Sequence, residues 1–386
     1  MRDSSNQQLR VLAVALVFAM APWFSTAAVL GQLREAWDLD SAAAAWLTIA
    51  VQLGFVIGAV FSAVTNLADR FDPTRLIMIG AAGASLANLS IVVFDSFGWA
   101  LVARLATGAF LAAVYPPALK AMSAWFREGR GFALGVMIGA LTLGSALPHL
   151  INAIGGVDWK VTLIAVSVIT AAGGLVAEGF CQEGPHAVGA AKFDPTQLRA
   201  IVSNRRFRLA SVGYFGHMWE LYAMWAWITA FFADVFVSSR AASLAGFAVI
   251  GVGAFGCVYA GLVSDRRSRT AAASQAMRWS GSAAIITGFL ADLPAVLVLA
   301  VALVWGFWVV ADSAQFSAIV TESVDPAYVG TALTVQLAAG FVLTVFTIFL
   351  VPVVRDAAGW GFAFLMLAPG PAVGALAMRA LEQPGT

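Results

Sequence analysis

Long apolar runs separated by short polar stretches make up nearly the whole chain. A helix that spans a bilayer needs about 20 predominantly apolar residues. Runs of that length lie near 9–30, 42–64, 75–94, 97–118, 130–154, 159–179, 208–233, 241–263, 271–290, 294–318, 329–353 and 359–380. The longest polar interval, about 181–207, holds Pro185, Pro195 and several basic residues and reads as a linker. The pattern predicts an all-α membrane protein with twelve transmembrane helices in two pseudo-symmetric six-helix bundles. The bundles are expected at 1–180 and 208–386, joined by 181–207. The first run follows Arg2 and Arg10 and could pass for a secretory signal; because so many runs follow, we read it as a retained helix.

A repeat supports the division into halves. Ala68-Asp69-Arg70, with Arg75 behind it, follows the second run. Ser264-Asp265-Arg266, with Arg269 behind it, follows the eighth, 196 residues later. Gly156-Val157-Asp158-Trp159-Lys160 opens the sixth run and Ala358-Gly359-Trp360-Gly361 the twelfth, at an offset of 201. Matched features at nearly one offset indicate a duplication. In a chain of membrane-length segments, that points to a transporter with two related halves.

Composition and charge agree. Hydrophobic residues form 61% of the chain and charged residues 11%, against about 45–50% and about 25% in soluble domains. With the N-terminus inside, 17 of the 22 Lys and Arg residues fall on the inner side and four on the outer. The remaining one is Arg104, within a span. Positive charge concentrates on cytoplasmic loops, so both termini are expected in the cytoplasm and the chain in the inner membrane. Cys181 and Cys257 have no metal-ligand spacing and no evident partner, so neither a disulfide nor a metal site is expected. No phosphate-binding loop or nucleophile constellation stands out, which argues against an enzyme or a primary pump.

The chain resembles the major facilitator superfamily over essentially its whole length. The family's loop between helices two and three, roughly Gly-x-x-x-Asp-Arg-x-Gly-Arg-Arg, appears as residues 65–75 with both glycines replaced. The second copy, Gly261-Leu262-Val263-Ser264-Asp265-Arg266, keeps its leading glycine. Arg104-Leu105-Ala106-Thr107-Gly108 resembles the family's Arg-x-x-x-Gly pattern in helix four. Trp125-Phe126-Arg127-Glu128-Gly129-Arg130-Gly131 resembles a segment of its small-anion porters, such as those for nitrate/nitrite, oxalate and cyanate. Nitrate porters carry gripping arginines in helices two and eight, which are missing here. Gly135, Gly139, Gly144 and Pro148-His149 match only part of the drug/proton antiporter motif. The resemblance implies that Asp69 and Asp265 cap a neighbouring helix at the cytoplasmic rim. With Arg70, Arg75, Arg266 and Arg269 they would then latch the halves; simple topological anchoring by positive loops is the other reading of these arginines.

An ionisable side chain at membrane depth costs about 2.5–3.5 kcal/mol on insertion scales, so it usually faces a cavity or a partner. Arg104 shares a helix face with Gly108, Leu111 and Tyr115. It reads either as a fixed charge gripping an anion or as a clamp on helix ends. His217 and Glu220, three residues apart on helix seven, read as a proton-coupling pair or as a packing hydrogen bond. Glu220, near mid-span, is the leading proton carrier. Asp312 on helix ten is a second proton or cation site, or else a gate or interhelical ion pair. His149, beside Pro148, reads as structural. Among the many aromatics, Trp23 (next to Pro22), Trp219 and Trp308 join Arg104 and Tyr115 as candidate substrate contacts. The resulting expectation is a secondary transporter of a small solute, an anion first, driven by protons through alternating access. Proton-driven efflux of amphipathic or aromatic compounds is the alternative, and a non-transporting sensor a remote one. No cofactor and no nucleic-acid partner are expected, and the monomer is taken as the working unit.

Overall fold

The computed structural model describes residues 2–186, 193–325 and 328–383, with the backbone alone at residues 2, 3, 68 and 69. Among these residues every regular element is helical. The long helices are α1 (Ser4–Ala28), α2 (Ser41–Val64), α3 (Pro73–Phe94), α4 (Phe97–Ser123), α5 (Arg130–Ile154) and α6 (Trp159–Phe180). They continue with α7 (Arg205–Val235), α8 (Ser239–Arg266), α9 (Arg269–Thr287), α10 (Ala295–Ser323), α11 (Val329–Leu365) and α12 (Pro369–Glu382).

Nine stretches among the described residues are long and apolar enough to cross a membrane, against twelve expected. α7 and α9, at 31 and 19 residues, are long enough but not apolar enough. α7 carries His217 and Glu220 in its middle, and α9 carries Arg278 among serines and alanines. The last two expected spans run together as Val329–Glu382, interrupted at Gly359, whose φ of +83° suits a residue without Cβ. The Asp-Arg loop after α2 forms a short helix, Leu67–Arg70, and the linker contributes Leu198–Ser203. Residues 187–192 of that linker lie outside the described residues.

Helix starts follow from local chemistry. The side chains of Asp40, Asp72, Ser96, Asp158, Asn204, Ser238 and Ser268 accept hydrogen bonds from first-turn N–H groups, which have no intrahelical partner. Contacts among the connections define two ends. At the near end, where α1 begins, Thr74 reaches Glu178, Asn204 reaches the Ser323 carbonyl and Arg269 pairs with Glu322. At the far end, Asp95 accepts from Trp37 and Lys160, and Asp234 from Arg355 and Trp360.

Small residues let the helices approach closely, as in membrane interiors generally. A Cβ on Gly54 of α2 would lie 1.9 Å from the Leu105 carbonyl oxygen of α4, and one on Gly108 lies 2.0 Å from that of Val51. α5 meets α8 in the same way. Cβ atoms on Gly131, Gly135 and Gly139, spaced four apart, would fall within 3.0 Å of Asp265, Cys257 and Ala254. Gly144, one turn further, faces the Val17 carbonyl of α1 instead.

Besides the interruption of α11 at Gly359, three helices break within their length. α1 runs to Ala19 and then passes through a 3-10 turn at Ala21–Phe24 around Pro22. α4 divides into Phe97–Leu111 and Tyr115–Ser123, and α10 into Ala295–Val309 and Ser313–Ser323. The two latter breaks occupy corresponding places in the repeat.

Candidate transport site

Proline lacks an N–H and its ring crowds the preceding turn, so Pro22 opens α1 and frees carbonyls at that turn. In a bilayer these need a partner from elsewhere in the protein. Arg104, fully buried on α4, supplies it. Its Nη1 donates to the Pro22 carbonyl at 2.6 Å and to Ser25 Oγ at 3.1 Å. Its Nη2 donates to the Trp23 carbonyl, and its Nε to the Leu47 carbonyl of α2 at 3.1 Å. All four acceptors are neutral. Ser25 in turn donates to Asn88 Oδ1 at 2.7 Å, and Asn88 Nδ2 donates to Ser167 Oγ and the Leu163 carbonyl. One polar chain thus ties α4, α1, α3 and α6 at the break.

The clamped turn carries Trp23 and Phe24 into a layer of rings at the centre of the molecule. Trp23 packs on Phe55 of α2 at 4.7 Å between centroids, on Phe341 of α11 at 5.7 Å and on Tyr222 of α7 at 5.8 Å. Phe24 meets Trp225 at 5.7 Å, and Tyr222 meets both Trp225 and Phe341. All six rings are buried. The indole N–H groups of Trp23 and Trp225 make no hydrogen bond, nor does the carboxamide of Gln52 on α2. Buried donors without partners carry a free-energy penalty, and the Trp23 and Trp225 indoles are two such donors within the layer.

Below the layer on α7, Glu220 is 2% exposed. Trp305 Nε1 of α10 donates to its Oε1 at 2.7 Å, and Ser280 Oγ of α9 donates to its Oε2 at 2.8 Å. His217, one turn earlier, turns elsewhere. Its Nδ1 lies 2.7 Å from Asp312 Oδ1, and its Nε2 lies 2.9 Å from Ser313 Oγ. Asp312 occupies the break in α10 and is 2% exposed. The C-terminal helices therefore hold two adjacent titratable units, a carboxyl held by two donors and a histidine–carboxyl pair.

Both ends of this core are crossed by polar contacts. At the near end, Asp265 of α8 accepts from the backbone N–H groups of Gly131 and Phe132 at 3.1 and 2.9 Å, capping α5. At the far end, His149 Nδ1 of α5 lies 2.9 Å from Thr229 Oγ1 of α7. Asn152 Nδ2 donates to Ser243 Oγ of α8 and to the Ala28 carbonyl, both at 3.0 Å, while its Oδ1 accepts from Gln32 and Thr162.

The sequence profile of the Major Facilitator Superfamily matches residues 12–346. The chain belongs to this superfamily. Its fold is similar to the crystal structure of a bacterial homologue of the human lysosomal transporter Spinster, inward-facing and unoccupied. That match has 17% identity and a TM-score of 0.66 over 97% of this chain and 93% of the other. No curated protein matches the chain by sequence. Superfamily membership makes the chain a multi-pass membrane protein and a secondary transporter of small molecules, not an enzyme.

Within the superfamily fold, the residues expected to act together separate into groups. His217 and Glu220 do not bond to each other; Asp312, expected as a second proton or cation site or else as a gate or interhelical ion pair, lies against His217 across the α7–α10 contact. Trp23 lies in the ring layer, but Trp219 and Trp308 do not. Trp219 Nε1 donates to the Met366 carbonyl at the turn before α12. Trp308 packs with Tyr259 and Trp279, which are 41% and 53% exposed on the outer surface. Tyr115 begins the second part of α4, half-buried against the core. Among the rim arginines, Arg269 is paired with Glu322 at 2.6 Å, while Arg70, Arg75 and Arg266 are exposed. The side chain of Asp69 lies outside the described residues. Sequence reasoning passed over Asn88 and Asn152. A lone carboxamide inside an apolar run is the signal that could have found each of them.

Proposed function

We propose that the chain couples proton movement through Glu220 to transport of an amphipathic, ring-bearing solute that offers hydrogen-bond acceptors. The observation that carries this reading is the buried ring layer with the unpaired N–H groups of Trp23 and Trp225. Rings stack on such a substrate, and the indoles and Gln52 meet its acceptors. Glu220 lies two residues from Tyr222 on α7, so a proton gained or lost there is felt next to the layer. His217 and Asp312 form the onward proton path toward the near end.

The cycle is alternating access by two halves, 1–180 and 208–386, with the near end cytoplasmic. The Asp265 cap on α5 closes the cytoplasmic side, and the Asn152 and His149 contacts close the outer side. Each opens in turn, and the monomer suffices.

A small anion is a second reading, favoured by one observation: Arg104 keeps its buried charge with four neutral acceptors. An anion would have to draw it away from the carbonyls of the broken turn. Flux in proteoliposomes, with and without a pH gradient, tests the coupling. Competition by ring-bearing amphiphiles against small anions tests the substrate class. Inhibition by anions alone would favour the second reading.

A further inference from the structure

The near end holds a built feature that the transport route does not use. α8, α9 and α12 converge there on a cavity of about 210 Å³ whose lining includes Arg267, Ser274, Arg278, Arg379 and Glu382. Among the described residues none of the three arginines forms an ion pair. Glu382 is already engaged, accepting from Thr270 Oγ1 at 2.8 Å. Arg278 is steadied by one bond, from Nε to the Ser274 carbonyl at 3.1 Å. Ser274 itself is 6% exposed, lines the cavity, and its hydroxyl makes no hydrogen bond. Three arginines without ion-pair partners and a buried serine therefore line one hollow. Guanidinium forks match the oxygen geometry of phosphate, and a hydroxyl adds a further donor.

The position of the hollow indicates where the phosphate comes from. Arg278 lies nine residues into α9, ~13 Å along its axis. Its neighbour Trp279, 53% exposed, stacks on Trp308 at 6.3 Å, with Tyr259 edge-on to that ring. Surface aromatics of this kind mark a membrane interface, and basic pockets between spanning helices take up anionic headgroups. We infer that the α8–α9–α12 cavity binds the phosphate of an anionic lipid in the near-end leaflet. This site stands apart from the ring layer and does not depend on how the substrate is read.

The test measures the thermal unfolding midpoint of the full chain in detergent. The probes are phosphatidylglycerol, phosphatidylcholine and inorganic phosphate, each added alone. The variants are Arg267→Gln with Arg379→Gln, both exposed positions, and Ser274→Leu, which fills the hollow without changing charge. Phosphatidylglycerol is expected to raise the midpoint and phosphatidylcholine to leave it unchanged. The concentration for half the effect should rise roughly fivefold per arginine removed, and Ser274→Leu should abolish the effect. An equal response to phosphatidylcholine, or an undiminished response in the arginine variants, overturns the inference. A response to inorganic phosphate as large as to phosphatidylglycerol overturns the lipid as the source.

Discussion

Replacing Arg104 by lysine separates a clamp from an anion grip. The guanidinium serves its acceptors from three separate nitrogens: Nε to Leu47, Nη2 to Trp23, and Nη1 to Pro22 and Ser25. An ammonium offers its donors from a single point. Placed to keep Pro22 and Ser25, it abandons the Leu47 and Trp23 carbonyls. At about 1.5–3 kcal/mol for each hydrogen bond to a charged group, the loss is roughly 3–6 kcal/mol. The charge is unchanged, so the effect isolates geometry. Thermal unfolding of Arg104→Lys without any substrate should therefore show a clearly lower midpoint than wild type. Because the loosened turn carries Trp23 and Phe24, affinity for ring-bearing compounds should fall as well. A midpoint equal to wild type, with only small-anion affinity reduced, would refute the clamp.

Three further outcomes follow from the helix contacts and the far-end loops. Gly135→Val places side-chain atoms where a Cβ alone comes within 2.5 Å of the Cys257 carbonyl oxygen. The overpacking, of order 1–3 kcal/mol, should increase labelling of cysteines introduced along near-end α5. Gly251→Ala, whose Cβ meets nothing closer than 3.7 Å, serves as the tolerated control. Asp265→Asn keeps one acceptor for the α5 N-terminus and loses the charge, worth about 1.4 kcal/mol or more, so near-end accessibility should rise at least about tenfold. The Lys160 and Trp37 hydrogen bonds hold the Asp95 carboxyl below its ordinary 3.8. A depressed carboxyl stabilises the fold above its unfolded value and loses that contribution as pH falls through the folded one. The midpoint difference between wild type and Asp95→Asn should thus be small, constant from neutral pH down to about 4, and lost as pH falls further, through the depressed value of the folded carboxyl.

Much of the fold was legible because apolar runs of membrane length and the repeated Asp-Arg loops are one-dimensional signals. The paired breaks in α4 and α10 were not, since the α10 break at Val310–Asp312 contains neither Gly nor Pro. Among the site residues, Arg104 stood out as a lone cation within a span. Its role did not, because the carbonyls it meets come from α1 and α2 and have no side-chain signature. The three-residue spacing of His217 and Glu220 suggested one shared site. Side chains three apart diverge by about 60° around a helix, enough here for Glu220 to reach α9 and α10 while His217 meets the α10 break. The ring layer was hidden for a similar reason. Aromatics are abundant along the whole chain, and only tertiary packing selects the six that meet.

Glu220→Gln tests the proton coupling most directly. Glutamine keeps an oxygen for Trp305 Nε1 and an amide within reach of Ser280 Oγ, so the variant should fold and exchange substrate at equilibrium. The measurement is substrate distribution in proteoliposomes under a pH difference of one unit, which supplies about 1.4 kcal/mol per proton, or about tenfold accumulation at one proton per substrate. Wild type should approach that ratio, while Glu220→Gln should equilibrate substrate without concentrating it. A variant that still concentrates substrate as far as wild type under the same gradient would contradict the assignment of Glu220 as the proton carrier.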